Sequence, residues 1–161
     1  MSQDQLEFSP LHCIFFIYYT FASYNNGKLK DVEKKSIVTL LNKWTSNTEI
    51  SSQIINDTLH WSSQNIKTPD HALQTMFSMI GYLKGQNNFN IHDREIFLLD
   101  IRNISRSDDD FSETEKKWHD MIAAQLDVNL RISNTSSEVI AKENKKIERR
   151  PIGYRMSYRK N

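Results

Sequence analysis

Glycine and proline are scarce in this chain, at four and three among 161 residues. Sandwiches and small barrels need many tight turns, and tight turns draw on these two residues. Their scarcity argues against such folds and points to helices joined by short polar connectors. Cysteine is nearly absent too, with Cys13 alone. One thiol makes no internal disulfide, and its place in an apolar run reads as a buried, reduced side chain. No long hydrophobic run is present either. The longest, Leu11 to Ala22, is twelve residues, against the roughly 20 needed to cross a bilayer. It follows an acidic N-terminus and no small-residue cleavage site succeeds it, so it does not read as a signal peptide, and a cytoplasmic location is expected.

What remains is enough for one all-α domain with a proper core, since 38% of the residues are apolar and 25% charged. The net charge of +1 hides an asymmetry. Residues 1–137 hold 13 Lys and Arg against 17 Asp and Glu, whereas residues 138–161 hold 8 against 3. An acidic body carries a basic tail. The expected organisation is a helical domain over 1–130, a polar linker over 131–137 and a basic helix and tail over 138–161.

Helix signals follow one another along the chain. Ser9-Pro10 starts the first helix, and the nearly continuous apolar run behind it reads as a central helix wrapped by others. Asn25-Asn26-Gly27 stops it. Val32, Ile37, Leu40, Leu41 and Trp44 recur at helical spacing from Asp31 onward, and Ile50, Ile54, Ile55, Leu59 and Trp61 suit a third helix. Thr68-Pro69-Asp70 supplies a cap, a first-turn proline and a first-turn acid. The stripe Ala72, Leu73, Met76, Phe77, Ile80, Leu83 then runs to Gly85. Asn90 caps a fifth helix whose Ile91, Ile96, Phe97, Leu98, Ile101 and Ile104 are expected inside. Ser112 and Glu115 form a capping box for a sixth carrying Trp118, Ile122, Ala123 and Leu126. A last helix is expected from Glu138 to Arg150, closed by Pro151.

The most distinctive stretch lies between the fifth and sixth helices. Asp108, Asp109, Asp110, Glu113 and Glu115 place five carboxylates in eight residues around Phe111. Neighbouring carboxylates repel, and hard cations such as Ca²⁺ prefer oxygen ligands, so Asp108, Asp110 and Glu115 are candidate metal ligands. The simpler reading is a solvated helix start, where the dipole favours acids. An EF-hand loop is excluded: counted from Asp108, its sixth position is Glu113 where Gly is required, and its twelfth is His119 where Glu is required. Glu115 and His119, four apart, can hold a metal or pair, but the more economical reading of His119 is a partly buried structural residue.

Residues 16–44 laid on 98–126, an offset of 82, match Phe16, Tyr19 and Ala22 with Leu98, Ile101 and Ile104. They also match Leu29 with Phe111, Glu33-Lys34-Lys35 with Glu115-Lys116-Lys117, and Leu40 with Ile122. Helix, polar turn, apolar anchor, Glu, helix occurs twice. This pattern resembles the TerB-like family, known from tellurite resistance and from the N-terminus of the DjlA co-chaperone, whose halves each carry a segment like Ala-x-x-Asp-Gly-x-Ile-x-x-x-Glu. The first unit keeps Gly27, Leu29 and Glu33 but has Asn26 in the Asp position. The second keeps Asp108, Phe111 and Glu115 but has Asp109 in the Gly position. The resemblance covers about residues 11–130 and implies a single bundle of about six to eight helices, built from two helix-turn-helix units. It also implies a non-enzymatic adaptor linked to bacterial stress response or defence, with a divalent cation near Asp108 and Glu115 and Asn26 and Glu33 as the weakened counterpart.

No Gly-rich phosphate loop, Gly-x-Ser-x-Gly elbow or plausible Cys–His pair argues for catalysis. No cofactor follows with certainty; Ca²⁺ or another divalent cation is the candidate. The candidate partner surface comprises Asp108, Asp109, Asp110 and Glu113 on the acidic side, with Arg149, Arg150 and Arg155 on the basic tail. A protein partner is favoured. The main alternative is an immunity-type inhibitor that covers the basic site of a toxin or enzyme. Nucleic acid is a lesser candidate for the tail, where Arg159 and Lys160 join the arginines among Tyr154 and Tyr158.

Overall fold

Caps and apolar spacing set the helices one by one. The structure, a computed structural model, describes residues 8–24, 29, 31–106, 112–133 and 137–146. Outside it lie the stop signal Asn25-Asn26-Gly27, the acids Asp108, Asp109 and Asp110 with their anchor Phe111, and the tail residues Arg149, Arg150, Tyr154, Arg155, Tyr158, Arg159 and Lys160. The described chain is all-helical: α1 (Pro10–Ser23), α2 (Asp31–Thr45), α3 (Thr48–Asn65), α4 (Pro69–Lys84), α5 (Ile91–Arg106), α6 (Glu113–Gln125) and α7 (Ser137–Lys146). No described helix is long and apolar enough to cross a membrane.

Each start has a local cause. Ser9 and His12 cap α1 reciprocally, Thr68 accepts from the His71 amide at α4, and Ser112 and Glu115 form the box that opens α6. Asn90 and Asp93 do the same for α5, each side chain accepting the other's backbone N–H. With glycine scarce, two helix ends use other residues in the left-handed region. Ser46 follows α2 at φ 58° and Asp127 follows α6 at φ 59°, the latter a residue type that tolerates this conformation.

α1 is the hub. Leu11 to Tyr18 are all buried, and the helix packs against α2, α3, α4 and α5, while α6 closes on α4 and α5. Trp118 on α6 meets Phe21 and Tyr24 edge-on, at 6.0 and 4.8 Å between centroids. Three residues expected inside are not. Val32 is 51% exposed, Ile91 50% and Leu59 38%. Val32 and Ile91 sit in the first turns of their helices. On α3 the buried place beside Leu59 is taken by Thr58, whose hydroxyl donates to the Ile54 carbonyl at 2.7 Å. The expected linker region also begins inside the core, with Ile132 2% exposed.

Candidate functional site

The α5–α6 junction is built from its caps outward. Ser112 N–H donates to Glu115 Oε1 at 3.0 Å, and Glu115 N–H donates to Ser112 Oγ at 3.1 Å. Glu115, proposed as a metal ligand, is therefore largely buried and engaged as a cap. Glu113 is exposed, with Lys116 3.9 Å away, a solvated pair worth little. The other proposed ligands and contact residues, Asp108, Asp109, Asp110, Arg149, Arg150 and Arg155, lie outside the described residues. Among the described residues no group of three or more His, Cys, Asp or Glu gathers as a metal site would require.

One turn beyond Glu115, α6 carries a buried polar chain. Arg102 of α5 is 1% exposed and His119 fully buried. Arg102 Nη1 lies 2.9 Å from His119 Nε2, and Arg102 Nε donates to Asn144 Oδ1 of α7 at 2.9 Å. A guanidinium only donates, so His119 Nε2 must accept, and its proton sits on Nδ1, which faces Asp120 Oδ1 at 3.1 Å. Asp120 in turn accepts from the Ile132 amide at 2.8 Å and from the Ser133 amide and hydroxyl. Burial, the largest cause, pushes the His119 pKa down to about 4, with Arg102 and Arg131 adding to the fall and Asp120 opposing it. Burial works to raise the Asp120 pKa, but the bonds from Ser133, Ile132 and His119 outweigh it and hold the carboxyl below its usual range. The chain thus fastens α5, α6, the 132–133 segment and α7 together through a histidine that stays neutral.

A second buried network ties α1, α2 and α5. Tyr18 Oη donates to Asp100 Oδ2 at 2.6 Å, and Trp44 Nε1 points at both, 2.8 Å from Tyr18 Oη and 2.9 Å from Asp100 Oδ2. All three are wholly or almost wholly buried. A third lies at the start of α1. Ser9 Oγ is 2.8 Å from His12 Nδ1, and His12 Nε2 is 3.3 Å from Asp57 Oδ2. The order Ser, His, Asp is that of an acyl-transfer relay, but the chemistry is that of a cap. His12 Nδ1 also accepts the Ser9 N–H at 3.0 Å, and Ser9 Oγ accepts the His12 N–H. The lone pair that a general base would use is already shared. Cys13 is equally unsuited to nucleophilic work, because burial pushes its pKa up to about 12.

Of the residues singled out in the sequence, the structure joins Ser112 with Glu115 and gives His119 partners, but Arg102 and Asp120 are those partners, not Glu115. Arg102, Asp120, Tyr18, Trp44 and Asp100 were not legible as site residues. The one available signal was the unusual count of charged residues within the apolar stripe of α5. Comparison with protein-family models, with curated proteins and with solved structures found no match to this chain.

Proposed function

We propose that this chain is a non-enzymatic binding protein of the TerB-like design, two helix-turn-helix units back to back, with another protein as its partner. The observation that carries the reading is the Tyr18–Asp100 hydrogen bond. These residues are 82 apart, the offset that relates the two units. In a twofold arrangement the positions nearest the axis meet their own counterparts. Phe16 and Leu98, Ala22 and Ile104, Glu33 and Glu115, and Leu40 and Ile122 are likewise buried in both units. The acidic segment Asp108, Asp109, Asp110 and Glu113 is the partner surface, set at a junction whose helices are locked by Arg102 and His119. A divalent cation at Asp108, Asp110 and Glu115 is the finer form of the proposal.

Two measurements test it. Captured partners are compared between the wild type and a variant with Asp108, Asp109, Asp110 and Glu113 changed to Lys. A partner held by the wild type and lost by the variant supports the binding reading, and equal capture by both overturns the acidic surface. If that partner is a basic enzyme whose activity falls on binding, the chain is an inhibitor of the immunity kind. For the cation, thermal unfolding is followed with and without millimolar Ca²⁺, Mn²⁺ or Zn²⁺. An ion at 100 times its Kd adds about 2.7 kcal/mol, which is several degrees at roughly 2–4 °C per kcal/mol. That rise should vanish in Asp108→Asn/Glu115→Gln, and no rise with any ion rejects the metal.

A further inference from the structure

Helix α7 is held lightly. None of its described side chains is buried: Val139, Lys142 and Lys145 are exposed, and Ile140 and Asn144 are half-buried. An element that buries so little opens locally at low cost, well before the bundle unfolds. A hydrogen bond from Arg102 Nε to Asn144 Oδ1, at 2.9 Å, ties it to α5. The same guanidinium donates from Nη1 to His119 Nε2, also at 2.9 Å. That second bond exists only while Nε2 is bare, because a guanidinium has no lone pair with which to accept. A proton on Nε2 sets N–H against N–H and places two positive charges at hydrogen-bond distance. Both side chains are at most 1% exposed, and with water excluded such charges repel far more strongly than in solvent. The charged groups facing the ring are Arg102 of α5, Asp120 of α6 itself and Arg131 beyond it, while α7 brings the neutral Asn144 to the guanidinium. Burial, the largest effect, and the two arginines oppose the proton, and Asp120 favours it. Asp120 keeps its partner through the change, since the neutral ring already turns Nδ1–H toward it at 3.1 Å and the charged ring does the same.

We propose that α7 is an acid-released strap: a proton on His119 Nε2 turns the Arg102 guanidinium away, the Arg102–Asn144 hydrogen bond is lost, and α7 leaves the bundle. Release stops there. The 132–133 segment stays in place, because Asp120 goes on accepting from the Ile132 amide and from the Ser133 amide and hydroxyl. The bistable element is α7, and the bias is one proton on a buried histidine. The strap belongs to the basic segment of the chain, in which residues 138–161 hold 8 Lys and Arg against 3 Asp and Glu. The inference is separate from the acidic surface proposed above and does not depend on it.

The test is NMR of the full chain as pH is lowered from 7 to 3, following the His119 imidazole and the backbone amides together. The heteronuclear NOE over Ser137–Lys146 should fall from the values of an ordered helix to those of a flexible chain. Its midpoint should coincide with the His119 titration, while α1 and residues 132–133 keep their values. His119→Gln retains an acceptor for Arg102 and has no titrating proton, so its α7 should remain docked at the pH where the wild type has released it. Asn144→Ala cuts the tie directly, and its α7 should be mobile already at pH 7. Asn144 is only half-buried, so that result stands even if His119→Gln fails to fold. Four outcomes would each overturn the proposal: an α7 that stays ordered with His119 charged, that is released at the same pH in His119→Gln, that stays docked in Asn144→Ala, or that is lost only together with α1.

Discussion

The α1–α2 and α5–α6 pairs differ sharply at two buried places that the offset of 82 sets side by side. Where the first pair has Thr20 and Ile37, the second has Arg102 and His119 at the offset of 82. All four are buried. Ile37 is packed as an ordinary apolar residue, and Thr20 is short enough to leave a cleft beside it. In the second pair the same two places hold a hydrogen-bonded Arg and His that reach out to α7 and the 132–133 segment. An apolar solution needs only volume, whereas a polar one needs every donor and acceptor matched. The α5–α6 pair therefore fixes the chain that follows it, and its stability depends on keeping the whole network.

The comparison breaks most sharply at Arg102. Arg102→Ala strands His119 Nε2 and Asn144 and opens a cavity, with an expected loss of about 3–5 kcal/mol in urea unfolding. Arg102→Leu together with His119→Ile gives the α5–α6 pair an apolar filling. Since well-packed apolar replacements of buried polar pairs are often close to neutral, the double variant should recover most of that loss. If it is as unstable as Arg102→Ala, the network is not what separates the two helix pairs.

Acid sharpens the same contrast. In the unfolded chain His119 takes up its proton near 6.5, but in the folded protein only at about 4. Stability is therefore full above pH 6.5 and falls as pH drops toward 4, by an amount of roughly 3 kcal/mol for this group. His12, whose pKa burial also lowers against the pull of Asp57, acts in the same direction. The Arg102→Leu/His119→Ile variant should lose a large part of this acid sensitivity in urea midpoints measured from pH 7 to 4.

Smaller effects are expected where α1, α2 and α5 meet and where α6 begins. Tyr18→Phe removes one hydroxyl shared with Asp100 and Trp44 and should cost about 1–3 kcal/mol, the range for leaving buried polar groups short of a partner. Ser112→Ala removes the α6 cap and should cost about 1 kcal/mol, visible as a lowered Tm. A Tyr18→Phe variant of wild-type stability would remove the contact on which the paired-unit reading rests.

Helix starts were the most legible part of the chain. Ser9-Pro10, Thr68-Pro69-Asp70, Asn90 and Ser112 to Glu115 each mark a real start, because a cap is satisfied by backbone amides only two or three residues away. Burial was less legible. Spacing put Val32 and Leu59 inside, but periodicity reports which face is apolar and not how far a neighbouring helix extends over it. At the candidate site, His119 was expected to be a partly buried structural histidine and is fully buried. Its partners Arg102 and Asn144 come from other helices, and no local pattern announces them.

The sequence by itself determined an all-helical chain, the helix starts, the apolar hub of α1 and the acidic opening of α6, since each depends on residues within a turn or two of one another. Only the tertiary structure decided that Tyr18 meets Asp100 and Trp44, that Arg102 and His119 share a proton-poor interior, and that Thr20 faces a cleft. Those pairings span 17 to 82 residues, and whether a polar group so placed is an unpaired cost or a fastening depends on which partner the packing of distant helices brings to it.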